Sequence, residues 1–264
     1  MNILEKIVEQ KKKEVAERKS LYPVKLLEQS IFFASPTVSL KKYVQRKDLS
    51  GIIAEIKRKS PSKGAINPHV SVERTSIGYM QAGASALSIL TDKDFFGGSN
   101  EDLIVARKFN YCPILRKDFT IDEYQIIEAK SIGADAILLI AAILERALAK
   151  QLASFARSLG LEVLLEVHTA EELYPPLFSE VDLIGVNNRD LKSFEVSLEI
   201  SRKLAGMIPN EVVKISESGI SSPESIHELR GIGFDGFLMG ENFMKHNRPE
   251  TAAKEFIEKL EKRK

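Results

Sequence analysis

A chain of 264 residues, 44% hydrophobic and 28% charged, has the make-up of a soluble enzyme and is long enough for one large α/β barrel or two small domains. A net charge of only +1 gives no footprint for nucleic acid or an anionic membrane, both of which call for a clustered basic excess. The single cysteine, Cys112, excludes an intrachain disulfide and a thiolate-rich metal site and makes a reducing cytosol the expected setting.

The chain opens on a charged helical stretch. Over residues 1–20, Ile3, Leu4, Ile7, Val8 and Val15 recur close to helical spacing, and the Lys11-Lys12-Lys13 run reads as the solvated side of that helix. The stretch carries charge throughout, so it is not a secretion signal, and no apolar run in the chain approaches the roughly 18 residues that span a membrane. Pro23 interrupts the helix, and residues 24–29 and 39–45 can form two more. This extension over residues 1–50 is too small for a domain of its own. It is expected to pack on the main body, so that 1–264 form one domain.

From Ile52 onward strand-like and helical segments alternate. The strand-like runs are 52–56, 86–90, 113–116, 136–140, 162–167, 183–186, 212–215 and 236–239. Amphipathic segments separate them at 72–81, 101–108, 122–131, 144–159, 170–177, 198–204 and 223–231, with 249–262 after the last. Gly83, Gly133, Gly160 and Gly233 supply helix stops, and Ser222-Pro223 supplies a cap followed by proline in the first turn. The strands are continuous apolar runs, most plainly from Ala136 to Ala142, the pattern of parallel strands covered on both faces. Eight such units predict an α/β fold, a (β/α)8 TIM barrel with an N-terminal helical extension. The rival, an open doubly wound sheet binding a dinucleotide, would carry a glycine-rich turn after its first strand, where this chain has Lys59-Ser60-Pro61-Ser62-Lys63.

In such a barrel the active site lies at the carboxyl ends of the strands. Glu55 and Lys57 leave the first strand on one face, a pairing that taken alone is as well read as a structural ion pair. Later strand ends bring Thr91-Asp92, then Arg116-Lys117-Asp118-Phe119, Glu166, Asn187-Asn188-Arg189-Asp190, Ser216-Glu217-Ser218-Gly219 and Gly240-Glu241-Asn242. Asp118 or Arg189 alone could be rim ion pairs; their convergence on one mouth is hard to explain as packing. Lys57 and Lys117 are expected to repel each other and, partly desolvated, to have lowered pKa values suited to proton donation. Lys117 would also suit a Schiff base. Glu166 is a candidate base, and Ser218-Gly219 with Gly240 could hold a phosphate through backbone N–H groups. His69, His168, His227 and His246 show no metal-type spacing, and His168 and His227 read as surface residues or residues behind the site. Cys112 reads as a small buried hydrophobe. No nicotinamide, flavin or pyridoxal fingerprint is present.

These residues resemble the indole-3-glycerol phosphate synthase family along essentially the whole chain. The strongest match runs from Ile53 to Ser62. Supporting matches are Leu90-Thr91-Asp92, Phe96-Gly97-Gly98-Ser99, Leu115 to Phe119, Leu165-Glu166-Val167-His168, Gly185 to Leu191 and Ser216 to Ile220. The resemblance implies a lyase of tryptophan biosynthesis that needs no cofactor and no metal. It would close the pyrrole ring of 1-(2-carboxyphenylamino)-1-deoxyribulose 5-phosphate with loss of carbon dioxide and water. It further implies Lys117 as general acid and Lys57 as the partner of the anthranilate carboxylate and, in some versions of the mechanism, the acid of the dehydration. Glu166 would be the base, Glu55 the residue that holds Lys57 or shares the base role, and Asn187 the partner of substrate hydroxyls. Arg189 would orient carboxylates, Phe119 would line the aromatic pocket, and Ser60, Ser218, Gly219 and Gly240 would cradle phosphate, with Glu217 also among the substrate-binding residues. The N-terminal helices would cover the barrel mouth. As partners the resemblance implies a phosphorylated small molecule, with no nucleic acid and no membrane; it allows a monomer or weak oligomer and docking to other tryptophan-pathway enzymes.

Two positions depart from the family pattern. Glu241 stands where relatives place Ser or Thr, leaving only backbone donors for phosphate there, and Ser197 stands where an acidic residue is common. The alternatives are a sugar-phosphate isomerase barrel of the phosphoribosylanthranilate isomerase type, which would want a cysteine where Lys57 stands, or a non-catalytic barrel that binds a phosphorylated metabolite.

Overall fold

The structure is a computed structural model that describes residues 2–177, 179–190 and 193–262; Leu191 of the sequence motif lies outside them. Eight parallel strands close into a barrel: β1 (Ile52–Ile56), β2 (Ala86–Leu90), β3 (Ile114–Lys117), β4 (Ala136–Ile140), β5 (Glu162–Val167), β6 (Leu183–Asn187), β7 (Val213–Glu217) and β8 (Gly236–Met239), with β8 pairing back onto β1. Alternation of side chains along each strand divides the apolar residues into two cores. Ile53, Leu115, Leu138, Leu164, Ile215 and Leu238 fill the barrel, whereas Ile52, Ala54, Leu87, Ile137, Leu165 and Phe237 face the surrounding helices. Such doubly covered strands need continuous apolar sequence, which is why the runs were legible.

The helices are α1 (Ile3–Leu21), α2 (Val24–Leu27), α3 (Leu40–Val44), α4 (Val72–Gln81), α5 (Asn100–Phe109), α6 (Glu123–Ser131), α7 (Arg146–Ser158), α8 (Glu199–Ala205), α9 (Pro223–Gly231), α10 (Glu241–Met244) and α11 (Pro249–Glu261). Ser71, Ser99, Asp122 and Ser222 cap four of them through their side chains. The segment 170–177 is not one helix but two single 3-10 turns, Ala170–Glu172 and Pro175–Leu177. Pro175-Pro176 removes two amide donors and disfavours helical backbone at the preceding residue, so a helix begun at Ala170 cannot continue.

The N-terminal extension serves both ends of the barrel. Ile3, Leu4 and Ile7 of α1 line the cavity at the carboxyl ends of the strands. α3 lies at the other end, where Leu40 and Val44 join the inner core beside Ala86, Ala136 and Val213. Glu162, the first residue of β5, accepts from Ser39 Oγ and from the Lys41 amide. No helix among the described residues is long and apolar enough to cross a membrane.

Candidate active site

A cavity of about 470 Å³ opens at the carboxyl ends of the strands, within the range of small-molecule pockets. Glu55, Lys57, Ser60, Lys117, Phe119, Glu166, Asn187, Arg189, Glu217, Ser218, Gly219 and Gly240 all line it. The barrel brings these residues together because they come from the last two residues of a strand or from the loop that follows it. Phe96 and Phe119, with ring centroids 5.9 Å apart, and Ile3, Leu4 and Ile7 supply apolar lining to the same cavity.

The ammonium groups are not set against one another. Lys57 Nζ lies 2.7 Å from Glu55 Oε1. Lys117 Nζ lies between two carboxylates, 2.6 Å from Glu166 Oε2 and 3.2 Å from Glu217 Oε2. Burial alone would push the Lys117 ammonium down, but Glu166, Glu217 and Glu55 outweigh it and hold its pKa well above the ordinary lysine value. The lowered lysine pKa expected from sequence is thus reversed, because the carboxylates reach Lys117 more closely than any cation does. Burial raises both of its partners, yet they separate. Lys117 on one side and His168 and Asn187 on the other hold Glu166 down to about 2. Glu217, with the longer contact to Lys117 and with Glu166 and Glu55 facing it, goes up to about 7. Two identical side chains are thus displaced in opposite directions by their surroundings, Glu166 below and Glu217 above the ordinary carboxylate range.

Two glycines make this cluster possible. A Cβ at Gly185, on β6, would occupy the space of Glu217 Oε1, and a Cβ at Gly240 would come within 2.5 Å of Glu55 Oε1. Glycine there is the room that the buried carboxylates need. Ser218 and Gly219 take consecutive left-handed conformations, with φ of 66° and 75°. That geometry costs a serine about 1–3 kcal/mol and collects at functional sites. Asn188, fully buried, holds the turn: its Nδ2 donates to Ser216 Oγ and to the backbone oxygens of Glu217 and Ser218, and its Oδ1 accepts from the Ser201 amide. Asn187 points the other way, to Glu166 Oε1 at 3.1 Å.

Loops secure the rim. The segment after β1 forms a small hairpin, Lys59–Ser60 against Gly64–Ala65, where the sequence reads only as a loop. Arg58 ties it to the next loop and to α5 by donating to the Gly97 carbonyl at 3.1 Å and to Asp102 Oδ1 at 2.8 Å. Gly98 must be glycine because any Cβ would run into the Leu90 carbonyl. Glu241 takes up Arg189 at 3.1 Å and Lys63 at 3.6 Å, so the departure at this position is used by a rim ion pair.

Behind β3 lies a second charge cluster that corrects two expectations. Lys11 is 1% exposed, not solvated, and its Nζ meets Glu14 at 2.8 Å, Asp92 at 3.0 Å and Asp118 at 2.8 Å. Asp118, read as a candidate rim residue, is buried, accepts from Thr91 and Arg116, and is held down to about 2: burial would raise it, but Lys11 and Arg116 prevail. Arg116 reaches on to Glu128 at 2.6 Å, and Glu128 also pairs with Arg18 of α1. His168 is buried beside Glu166, the second of the two places the sequence allows it, behind the site. Cys112 is 2% exposed, its thiol pushed up to about 12 chiefly by burial, and it precedes β3, far from the role an isomerase-type cysteine would have at the end of β1. Among the described residues no group of three or more His, Cys, Asp or Glu side chains is arranged to hold a metal ion.

The family model described as indole-3-glycerol phosphate synthase matches residues 4–256. The chain belongs to that family. A curated indole-3-glycerol phosphate synthase of Bacteroides thetaiotaomicron is 48% identical over 260 residues, covering 98% of this chain and 99% of the relative. One of Caldanaerobacter subterraneus is 43% identical over 98% of both chains, and one of Campylobacter jejuni 40% identical over 97% of this chain and 100% of its own. Among solved structures, a tryptophan synthase alpha-subunit of Pyrococcus furiosus superposes with a TM-score of 0.61 at 16% identity, over 80% of this chain and 97% of that one. At that identity the likeness speaks for the barrel alone.

Proposed function

We propose that the chain is a carboxy-lyase of tryptophan biosynthesis, converting 1-(2-carboxyphenylamino)-1-deoxyribulose 5-phosphate into indole-3-glycerol phosphate with release of carbon dioxide and water. The observation that carries this reading is Lys117, charged and fixed between Glu166 and Glu217 at the mouth of a barrel whose family match spans residues 4–256. Lys117 donates its proton to the sugar carbonyl oxygen as the aromatic carbon that bears the carboxylate attacks the carbonyl carbon. Loss of carbon dioxide restores the aromatic ring, and loss of the new hydroxyl as water completes the pyrrole. Lys57, held by Glu55, receives the substrate carboxylate and serves the dehydration as acid; Glu166, kept ionised, takes the proton that leaves.

The substrate's phosphate is received by Ser60, Ser218, Gly219 and Gly240, which combine backbone donors with close approach. Asn187 faces the sugar hydroxyls, and Phe119 and Phe96 meet the aromatic ring. α1, with Ile3, Leu4 and Ile7 in the cavity wall, excludes water and so strengthens the charge interactions inside. Residues 1–50 are in this reading part of one domain with the barrel.

The test follows product formation by indole fluorescence, to which a chain without tryptophan adds no indole emission of its own. The parent protein turns the substrate over, and Lys117→Ala loses about a hundredfold or more in kcat while keeping its fold by circular dichroism. A folded parent with no turnover would overturn the synthase reading.

A further inference from the structure

His168 does not line the cavity, yet it is in contact with the carboxylate that does the work. Its side chain is 7% exposed. One ring nitrogen, Nε2, lies 3.4 Å from Glu166 Oε1, and the other, Nδ1, lies 3.4 Å from Glu172 Oε2. The backbone fixes this placement from below, since the His168 amide donates to the same Glu172 oxygen at 2.7 Å. Nε2 is buried without a hydrogen-bond partner. A neutral imidazole carries one N–H and would present a lone pair to one of the two carboxylates; only the imidazolium offers a donor to both.

We propose that His168 is a positioning residue for Glu166: an imidazolium clamped by Glu172 that seats one oxygen of Glu166 and supplies its second counter-charge. The inference rests on Glu166 being the base of the proposed reaction. Its need is visible in the charge arrangement. Glu166 Oε2 is held by Lys117 at 2.6 Å, so when Lys117 gives up its proton that oxygen loses its cation. Asn187 at 3.1 Å and His168 hold the other oxygen, and of these only His168 brings charge. With it in place, Glu166 remains ionised and oriented through the step in which Lys117 is neutral, rather than taking the proton back.

The groups that face His168 are Glu166 near the end of β5, the strand that His168 directly follows, Glu172 on the short turn after it, and Glu217 from β7. Burial pushes its pKa down, but these carboxylates outweigh it and the net direction is up, in keeping with the two-sided contact.

Two measurements test the assignment. The first needs no activity: the four imidazoles are followed by NMR as pH is varied, and the resonance missing from His168→Gln identifies His168. Its proton affinity falls roughly fivefold or more in Glu166→Gln and again in Glu172→Gln. A His168 that titrates as a free imidazole in the parent, or is unmoved by Glu166→Gln, overturns the proposal. The second is kinetic. Because coupling is reciprocal, His168→Gln moves the acidic limb of the kcat profile to higher pH, with KM nearly unchanged, and Glu172→Gln moves it the same way by less. A lower kcat with an unshifted limb would mean a merely structural histidine and sink the idea. If His168→Gln fails to fold, the partly exposed Glu172→Gln carries both readouts. A parent that does not turn over the substrate would end the synthase reading while leaving the titration to decide the Glu166–His168 contact.

Discussion

Two buried charge clusters flank β3, and they are built to opposite standards. In the cluster behind the strand, Lys11 and Arg116 meet Asp92, Asp118 and Glu128, and none of these side chains holds a buried polar atom without a partner. In the mouth, Glu217 Oε1 is buried and unpartnered. An orphaned buried polar atom costs about 1–3 kcal/mol, so the second cluster is the poorer one by the standard of folding. That difference separates scaffold from site. A network that satisfies itself has nothing left for a ligand, whereas a site awaiting a charged substrate must keep part of its capacity open. Consecutive residues are divided between the two by their partners: Arg116 and Asp118 pair within the closed network, although Asp118 also borders the cavity, and Lys117 goes to the open one.

The largest way to break the contrast is Lys11→Met. It leaves Asp92 and Asp118 buried without their common cation and is expected to cost roughly 3–5 kcal/mol of unfolding free energy, measured by urea titration with circular dichroism. Adding Asp118→Asn should recover part of that loss, because one of the stranded charges is gone. Additive losses in the double variant would mean that the network is not one unit. The acid side agrees: Asp118, depressed to about 2, gives stability that is present above the usual carboxylate range near 4 and is lost as pH falls through about 2. Kinetically, Lys11→Met loosens α1 over the cavity, so KM should rise more than kcat falls.

How far the sequence could have led to these clusters differs between them. The barrel was legible because doubly covered parallel strands must be apolar throughout, and the mouth residues followed from one topological rule, that strand ends converge. Family resemblance supplied the roles. Lys11 reads as solvated because it stands in a run of three lysines, yet it lies four residues after Ile7 and four before Val15, on the apolar stripe of its own helix. A cation on a buried stripe asks for carboxylates, and Asp92 and Asp118 are far away in sequence, which is why periodicity alone misses them. The raised pKa of Lys117 was invisible for a related reason. Counting residue types at the mouth shows two lysines, but only side-chain geometry shows that Glu166 and Glu217 stand nearest to one of them. The turns at Pro175-Pro176 are the exception, since the two prolines were there to be read.

An intermediate effect sharpens the comparison from the open side. Glu217 has its pKa raised to about 7, so its contribution to stability is full below the ordinary carboxylate range near 4 and is lost as pH rises through about 7, opposite in sign to Asp118. Glu217→Gln replaces a carboxylate that burial penalises by a neutral group of the same shape. Its Tm should match the parent's near pH 4 and exceed it near pH 8, while turnover falls: a site residue that costs stability where it works. Equal melting temperatures at both values would mean that Glu217 is not displaced from ordinary carboxylate behaviour.

The smallest effect comes from the neighbouring residue in the same lysine run. Lys12 is 61% exposed and pairs with Glu9, one turn away on the same helix, at 2.8 Å. Such pairs contribute about 0.2–0.5 kcal/mol. Lys12→Met should therefore shift the urea midpoint barely beyond error and leave kcat and KM alone, although it removes the same charge one residue away from Lys11. If the two variants lost similar amounts of stability, net charge on α1 rather than the buried network would be what seats the helix, because the two lysines differ in burial and partners and not in chemistry.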